Sequence, residues 1–136
     1  MASIRKEVTI DVPPEQLWAA MRDVGALHTR LVAGFVTDCR MDGDARTVTF
    51  ANGMVARELI VDVDERDRRV VWAAVGGRLT HHNASTQVFD ASPGRSRVVW
   101  IADLLPSELA PAIEAMIEQG VAAMKRTLER AVPVEP

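Results

Sequence analysis

Three polar residues of this 136-residue sequence could do chemistry together if the fold brings them to one cavity. They are Arg57, His82 and Asp103, and each lies in a segment whose alternating pattern predicts a β-strand. A histidine beside an aspartate can act as a general base, and a nearby arginine can stabilise negative charge on a reacting molecule. The same groups could equally serve as polar anchors for a bound ligand, so no residue is assigned a catalytic role.

The position of Arg57 follows from a hairpin with a strong turn signal. Asn52-Gly53 favours a two-residue loop, which places Val48 opposite Arg57 and puts the arginine on an otherwise apolar sheet face. A charged side chain there needs an anion, a carbonyl group or an exit to water. Two interpretations remain open: an ion pair with Asp38, which a three-residue loop at Asp42–Asp44 would bring to the same face, or contact with a ligand. That face would also carry Phe50, Val55, Leu59, Val61 and Val63.

The last predicted hairpin brings His82 close to Asp103. A two- or four-residue loop within Ser92–Arg95 places Ala84 opposite Asp103, and both then share a face with His82. Trp100 would lie on the other face, which has more polar and small residues and is therefore predicted to be the outer one. A β-bulge in either strand would invert this assignment.

Several kinds of site are not expected. His81 and His82 are adjacent on a strand and point to opposite faces, so they do not predict a metal site. Cys39 is the single cysteine, which excludes an intrachain disulfide and a multi-thiolate metal site and fits a small buried side chain. The sequence has no glycine-rich phosphate loop, no nucleophile elbow and no tyrosine. We expect neither a metal nor a cofactor.

Composition limits the partners and the compartment. A net charge of −3 and a pI near 5.6 argue against a nucleic-acid-binding surface, which would need clustered basic residues. No apolar run reaches the length of a membrane span, and Met1–Lys6 does not open a signal peptide. We therefore expect a soluble cytoplasmic protein that forms one domain over residues 1–136, with no prediction of its oligomeric state.

The element that must position the strands is a long C-terminal helix, predicted over Ser107–Ala131. Its apolar residues recur at steps of three and four, and its charged residues fall on the opposite side. A helix of this length spans about 37 Å, enough to cross a small sheet. Ser107 and Pro111 both fit its first position, and Pro133 and Pro136 would end it. The predicted inner residues are Leu109, Ile113, Met116, Ile117, Gly120, Met124 and Leu128.

Gly120 is the least expected residue on this apolar stripe, because glycine costs about 1 kcal/mol relative to alanine within a helix. Either the helix packs closely on the sheet at this point, or a bulky ligand lies beside it. Met116 and Met124 lie about one turn to either side and could form an adaptable apolar wall. We interpret all three as candidate ligand-binding residues.

The rest of the chain predicts a sheet interrupted by two short helices. Residues 3–12 alternate between polar and apolar, which predicts the first strand. A short helix then begins at Pro14 and ends at Gly25, and Ala26–Leu31 predicts a second. From Phe35 to Asp103 short strands alternate with turn sequences, a pattern typical of an antiparallel meander.

Several sequence features match one known group of proteins. They are Trp18 with Asp23, the segment His81–Ser85, Trp100 with Asp103, and the segment Met124–Glu129. Together with the order of strand, helix pair, meander and final helix, they resemble the START-domain-like helix-grip superfamily, also called SRPBCC. The resemblance covers nearly the whole chain and is strongest to the polyketide cyclase/dehydrase and lipid-transport branch.

The resemblance implies an α+β fold in which a curved, seven-stranded antiparallel sheet grips the C-terminal helix, with two short helices between strands 1 and 2. It also implies a cavity that binds a hydrophobic, lipid- or polyketide-like small molecule, with Arg57, His82 and Asp103 as our candidate polar anchors. The superfamily has no universal catalytic motif that would assign a catalytic residue. A polyketide cyclase- or dehydratase-type enzyme using the same cavity is the first alternative, and an interaction domain with a filled core is the second.

Overall fold

Helices and strands follow one another along the chain in the predicted order. The computed structural model describes residues 1–130, so Ala131, Pro133 and Pro136, on which the predicted end of the last helix depends, lie outside the described residues. Within that range the strands are β1 (Ala2–Ile10), β2 (Val36–Asp42), β3 (Ala45–Phe50), β4 (Val55–Asp64), β5 (Arg69–Val75), β6 (His81–Asp90) and β7 (Ser96–Leu105). The helical segments are α1 (Pro14–Met21), a π-helical turn (Leu27–Leu31), a 3-10 turn (Ser107–Leu109) and α2 (Ala110–Arg130).

The strands described in residues 1–130 form an antiparallel, curved sheet in the order β1-β7-β6-β5-β4-β3-β2. α2 packs against β1 and the π-helical turn, on the concave side of the sheet. Both short helical segments lie between β1 and β2, as predicted. The predicted helix-grip fold is therefore confirmed. Among the described residues, no helix is long and apolar enough to cross a membrane.

The start of the C-terminal helix combines both predicted starting points. Ser107–Leu109 forms a 3-10 turn, and regular α-helix begins at Ala110, so Pro111 occupies its second position. A proline is tolerated there because the N–H groups of the first turn have no intrahelical partner. The predicted helix is confirmed over all of its described residues.

Polar contacts join α2 to β1 while the apolar stripe of α2 faces the core. The Lys6 Nζ atom lies 2.9 Å from a carboxylate oxygen of Glu114 and 3.1 Å from one of Glu118. Further along, Lys125 donates a hydrogen bond to the carbonyl group of Thr9, at 2.9 Å. The helix is therefore tied to the edge strand at two places. Its buried residues are Ile117, Gly120, Ala123, Met124 and Leu128.

The hairpin loops differ by one residue from the predicted lengths. The β3–β4 and β6–β7 loops each have three residues, 51–53 and 92–94, where loops of even length were predicted. In both loops the last residue is a glycine with positive φ, 90° for Gly53 and 75° for Gly94. Three-residue hairpin loops favour a left-handed residue at this position, which glycine adopts without strain. The β2–β3 loop has two residues, 43 and 44, instead of three.

Each of these shifts moves side chains to the opposite face of the sheet, because successive residues of a strand point to opposite sides. Val55, Leu59 and Val61 were predicted to face the core, and this is wrong: they lie on the outer face, where 62%, 40% and 58% of their surface is exposed. Trp100, predicted to lie outside, packs on the inner face against Trp72, with ring centroids 5.7 Å apart.

Candidate ligand-binding site

A cavity of about 150 Å³ lies between the concave face of the sheet, α2 and the π-helical turn. Most of its lining is apolar and comes from all of these elements. Four polar residues, Arg46, Glu58, His82 and Thr86, also line it. The apolar lining includes Leu27, Leu31, Phe35, Val48, Phe50, Ala56, Trp72, Ala74, Ala84, Trp100, Ile113, Met116, Ile117 and Met124.

One cross-strand row carries three of these polar residues. Arg46 of β3 pairs directly with Glu58 of β4, and Glu58 pairs with Ala74 of β5. The Ala74 N–H in turn donates a hydrogen bond to the ring of His82 on β6. Neighbouring strands lie about 4.8 Å apart where they are paired, and Ala74 and His82 lie beyond the last paired residues of β5 and β6, so the backbones at Glu58 and His82 are separated by at least the roughly 10 Å of two strand spacings. Since alanine fills little of that distance, the row leaves space between a carboxylate and an imidazole.

The two charged members of the row form a buried ion pair. The Arg46 Nε atom donates to Glu58 Oε1 at 2.9 Å, and the side chains are only 3% and 10% exposed. Arg46 also donates from Nη1 to the carbonyl group of Val24, at 2.9 Å, and its guanidinium lies 5.5 Å from the ring centroid of Trp72. A buried charge of this kind is tolerated when it is paired and hydrogen-bonded, and both conditions hold here.

The surroundings of Glu58 favour its protonated form more than water does. Burial raises the pKa of the Glu58 carboxyl group, and the charge and hydrogen bond of Arg46 oppose this only in part. A carboxyl group whose pKa is raised can donate or accept a proton closer to neutral pH. Glu58 is therefore the group in the cavity best suited to acid–base chemistry or to a strong hydrogen bond with a ligand hydroxyl.

His82 offers a neutral hydrogen-bond donor. Burial lowers the pKa of His82, His81 lowers it further, and the negative charge of Asp103 acts in the opposite direction. The Nδ1 atom of His82 accepts the Ala74 N–H at 2.9 Å, which places the ring proton on Nε2. The neutral ring therefore presents an N–H group among the lining residues, suited to a carbonyl or hydroxyl oxygen.

Aromatic and methionine side chains line the cavity next to the β3–β4 loop. Phe35 and Phe50 contact each other edge to face, with ring centroids 5.3 Å apart. Met54, which also lines the cavity, is 48% exposed to solvent. The β3–β4 loop, which Phe50 and Met54 flank, therefore forms part of the cavity mouth.

A comparison with protein families identifies the group to which this architecture belongs. The family described as polyketide cyclase/dehydrase and lipid transport matches residues 1–129. The chain belongs to this family. The SRPBCC resemblance predicted from the sequence is thereby confirmed, whereas a comparison with curated protein sequences finds no significant match.

Solved structures similar to this cyclase/lipid-transport family member share its fold at low sequence identity. An uncharacterized protein from Bacillus thuringiensis superposes with a TM-score of 0.83 at 16% identity, covering 93% of this chain and 98% of that one. Norcoclaurine synthase from Thalictrum flavum, in complex with dopamine and hydroxybenzaldehyde, gives 0.73 at 19% identity, covering 96% and 86%. The di-domain ARO/CYC BexL gives 0.81 at 11% identity, covering 95% of this chain and 47% of BexL.

Two of the sequence-predicted polar anchors do not line the cavity of this family member. Arg57 pairs with Thr47 in the sheet instead of Val48, which turns its side chain to the outer face, where it is 49% exposed. Its closest acidic partner is Asp42, at 3.5 Å, and the predicted ion pair with Asp38 is wrong. Asp103 pairs with Asn83 instead of Ala84 and also faces outward. Of the three predicted anchors, His82 alone is among the lining residues described.

Of the three ligand-binding residues predicted on α2, two line the cavity and one does not. Met116 and Met124 line the cavity, as the predicted apolar wall requires. Gly120 instead faces Trp100: a Cβ atom added to it would lie 2.8 Å from two ring atoms of Trp100 and 3.4 Å from Phe35. Of the two explanations offered for this glycine, close packing of helix on sheet therefore describes it.

Arg46 and Glu58 were not predicted, because the register that places Val48 opposite Arg57 also places Arg46 opposite Leu59. A signal for the correct register was present. With a three-residue loop, the positive charge of Arg46 comes directly opposite the negative charge of Glu58, and opposite charges are favoured at such positions. Charge complementarity across the hairpin would have identified the ion pair and removed Arg57 from the inner face.

Proposed function

We propose that this member of the polyketide cyclase/dehydrase and lipid-transport family binds a small, largely apolar and uncharged molecule in the cavity between the sheet and α2. The observation that carries the proposal is the row Arg46–Glu58–Ala74–His82, which places polar groups along one wall of an otherwise apolar cavity. Small-molecule sites in proteins are mostly apolar and have a few placed polar groups of this kind.

The size of the cavity narrows the ligand class suggested by the family. An apolar protein cavity of about 150 Å³ accepts a molecule of the size of benzene. A substituted single ring therefore fits better than the lipid- or polyketide-like ligand that the resemblance implied. A space of this volume also speaks against an interaction domain with a filled core.

The charges of the lining narrow the class further. The positive charge of Arg46 is already neutralised by Glu58, and His82 is uncharged, so the cavity offers no unpaired charge to an ionic ligand. The hydrogen bonds found among residues 1–130 use Glu58 Oε1 and His82 Nδ1, which leaves Glu58 Oε2 and the His82 Nε2–H group for a ligand. A hydroxyl group can donate to the first, and a carbonyl or hydroxyl oxygen can accept from the second.

Titration calorimetry with three single-ring compounds tests the proposal. At pH 7.5 we expect p-cresol, which is uncharged and has a hydroxyl group, to bind more tightly than toluene, and toluene more tightly than benzoate. The matched control is Arg57→Gln, on the outer face, which should leave the order and the affinities unchanged. Absence of binding by all three compounds, or tightest binding of benzoate, would contradict the proposal.

A cyclase- or dehydratase-type enzyme is the second candidate, favoured by the raised pKa of the buried Glu58 carboxyl group. The fold neighbours norcoclaurine synthase and BexL also make an enzymatic role reasonable. In this case Glu58 would exchange a proton with the bound molecule. Deuterium uptake by phenylacetone, a single-ring ketone, should then be accelerated by the protein and not by Glu58→Gln, although the variant still binds the ketone. Equal uptake with and without the protein would leave the binding role alone.

A further inference from the structure

The sheet separates between β5 and β6 at one end. β5 remains paired with β4 as far as Val75, and β6 remains paired with β7 from His81 onward. Pairing between β5 and β6 themselves, however, extends only from Arg69 to Trp72, where Trp72 faces Ala84. Each strand therefore follows its other neighbour, and a gap opens within the sheet between residues 73–76 and 79–82.

This gap holds a second pocket next to the ligand-binding cavity. The pocket has a volume of about 280 Å³, and Ala74, Leu79 and His82 line both it and the main cavity. It is bordered by the loop between β5 and β6, in which Gly76 and Gly77 have φ values of 87° and 62°. Residues 75–78 of this region are exposed, so the pocket faces solvent. The gap thus adjoins the cavity on one side and water on the other.

His82 makes the contact that spans the gap. Its Nδ1 atom accepts the backbone N–H of Ala74 at 2.9 Å. In a regular antiparallel sheet, an N–H group that points to the neighbouring strand donates to a backbone carbonyl group of that strand. Here the side chain of His82 takes the place of the carbonyl group. The bond requires an imidazole nitrogen without a proton, because a protonated imidazole carries hydrogen on both nitrogens and accepts none.

We propose that the gap between β5 and β6 is a second entrance to the cavity, held closed by the hydrogen bond from Ala74 to neutral His82 and opened when His82 is protonated. This inference rests on the proposed function, since an entrance matters only if the cavity holds a ligand. Protonation turns Nδ1 into a donor that faces another donor, so the contact across the gap is lost.

The charged and titratable groups around His82 set the pH at which it becomes protonated and the gap opens. Asp103 of β7 favours protonation, whereas His81 and burial oppose it. The loop contributes Arg78, which is exposed, and Glu58 and its partner Arg46 lie two and three strands away along the row. Burial and His81 together outweigh Asp103, so the pKa of His82 is lowered. The gap should therefore stay closed at neutral pH and open only at a pH below the ordinary pKa of histidine, about 6.5.

Two variants separate the hydrogen bond from the charge. His82→Asn places an amide oxygen close to the position of Nδ1 and can accept the Ala74 N–H without titrating. His82→Ala removes the acceptor at every pH. His81→Ala is the third variant, because His81 is the exposed neighbour and makes no side-chain hydrogen bond among those found in residues 1–130. Since His81 lowers the pKa of His82, its removal should keep the gap closed at pH 7.5 but move the opening to a higher pH.

The first readout is the hydrogen-exchange protection of the Ala74 amide, measured by NMR at pH 7.5 and pH 5 and corrected for intrinsic exchange. Loss of one hydrogen bond should lower the protection of the natural protein by about 10-fold once His82 is protonated, which the ring resonances of His82 report as the pH is lowered. Protection should stay constant in His82→Asn and be low at both pH values in His82→Ala. An Ala74 amide that stays equally protected while His82 becomes protonated would overturn the proposal.

The second readout is the rate at which fluorobenzene leaves the cavity, measured by ¹⁹F exchange NMR on the same four proteins. We expect release to accelerate about 10-fold when His82 becomes protonated in the natural protein and in His81→Ala, in parallel with Ala74 exchange, and to be independent of pH in His82→Asn. Unchanged release despite loss of Ala74 protection would show that the gap is not an entrance. Absence of fluorobenzene binding at any pH would contradict the proposed function itself and with it the entrance, whereas the Ala74 amide would still decide whether His82 closes the gap.

Discussion

Arg46 lies directly opposite Glu58 in the sheet, and their side chains form an ion pair with a nitrogen–oxygen distance of 2.9 Å at the wall of the cavity. Burial disfavours the charge of each partner, and the pairing offsets that cost. The pair therefore affects both the stability of the fold and the polarity of the cavity. The variants below separate these properties.

Removing one partner of the Arg46–Glu58 pair should destabilise the fold strongly. Arg46→Met or Glu58→Leu leaves an uncompensated buried charge, and we expect the free energy of unfolding to fall by about 3–5 kcal/mol. The double variant replaces both charges by apolar side chains and should recover most of this loss. Urea unfolding of the two single variants and the double variant provides the measurement, and losses that simply add in the double variant would contradict the expectation.

Gly120→Ala should not stabilise α2 although alanine is the better helix former. The added Cβ would lie 2.8 Å from Trp100, and forcing a ring or helix to move typically costs about 1–3 kcal/mol. The helix-propensity gain of about 1 kcal/mol offsets only part of this. The matched control is Gln119→Gly at the exposed neighbouring position, which should lose about 1 kcal/mol. Thermal unfolding that shows Gly120→Ala to be more stable than the natural protein would contradict this packing.

The stability of the fold should decrease as the pH falls through the histidine range, because of His82. Its pKa is lowered in the folded protein, so below about pH 6.5 the unfolded chain binds a proton that the folded chain does not. The contribution of His82 is therefore constant above this pH and is lost progressively until the pH reaches the lowered pKa. Urea unfolding between pH 4.5 and pH 8 should show a smaller decrease in His82→Asn. In His81→Asn most of the decrease should remain, because burial, and not His81, is the main cause of the lowered pKa of His82.

Ligand affinity should respond to the inner row of the sheet and not to the originally predicted anchors. Glu58→Gln retains the shape of the side chain but removes its charge, and should weaken p-cresol binding by about 10-fold if one charged hydrogen bond is lost. Arg57→Gln and Asp103→Asn should each change the affinity by less than about twofold, because both side chains face outward. If calorimetry shows that Arg57→Gln weakens p-cresol binding more than Glu58→Gln does, Arg57 contacts the ligand as the sequence predicted, and the present expectation is wrong.

Much of the fold could be predicted because its signals are local. The spacing of Ile113, Ile117 and Met124 follows the helical repeat, and alternation in the first strand follows the strand repeat, so neither requires knowledge of distant residues. The order of elements then indicated the family. Met116 and Met124 could be placed at the cavity because the helical repeat alone sets their orientation. His82 also lines the cavity, although it was assigned to the inner face from a pairing of β6 with β7 that is wrong by one residue.

The sequence by itself determined the elements, their order and the family, since these depend on periodicity and turn chemistry within short stretches. The tertiary structure alone decided which face of each strand lines the cavity. Loops 51–53 and 92–94 each have one residue more than the two-residue alternative, and a one-residue shift exchanges the two faces of a strand. Whether Arg57 or Glu58 points inward was therefore decided by loop closure together with the burial of Trp100 and the Arg46–Glu58 pair, which involve contacts between strands.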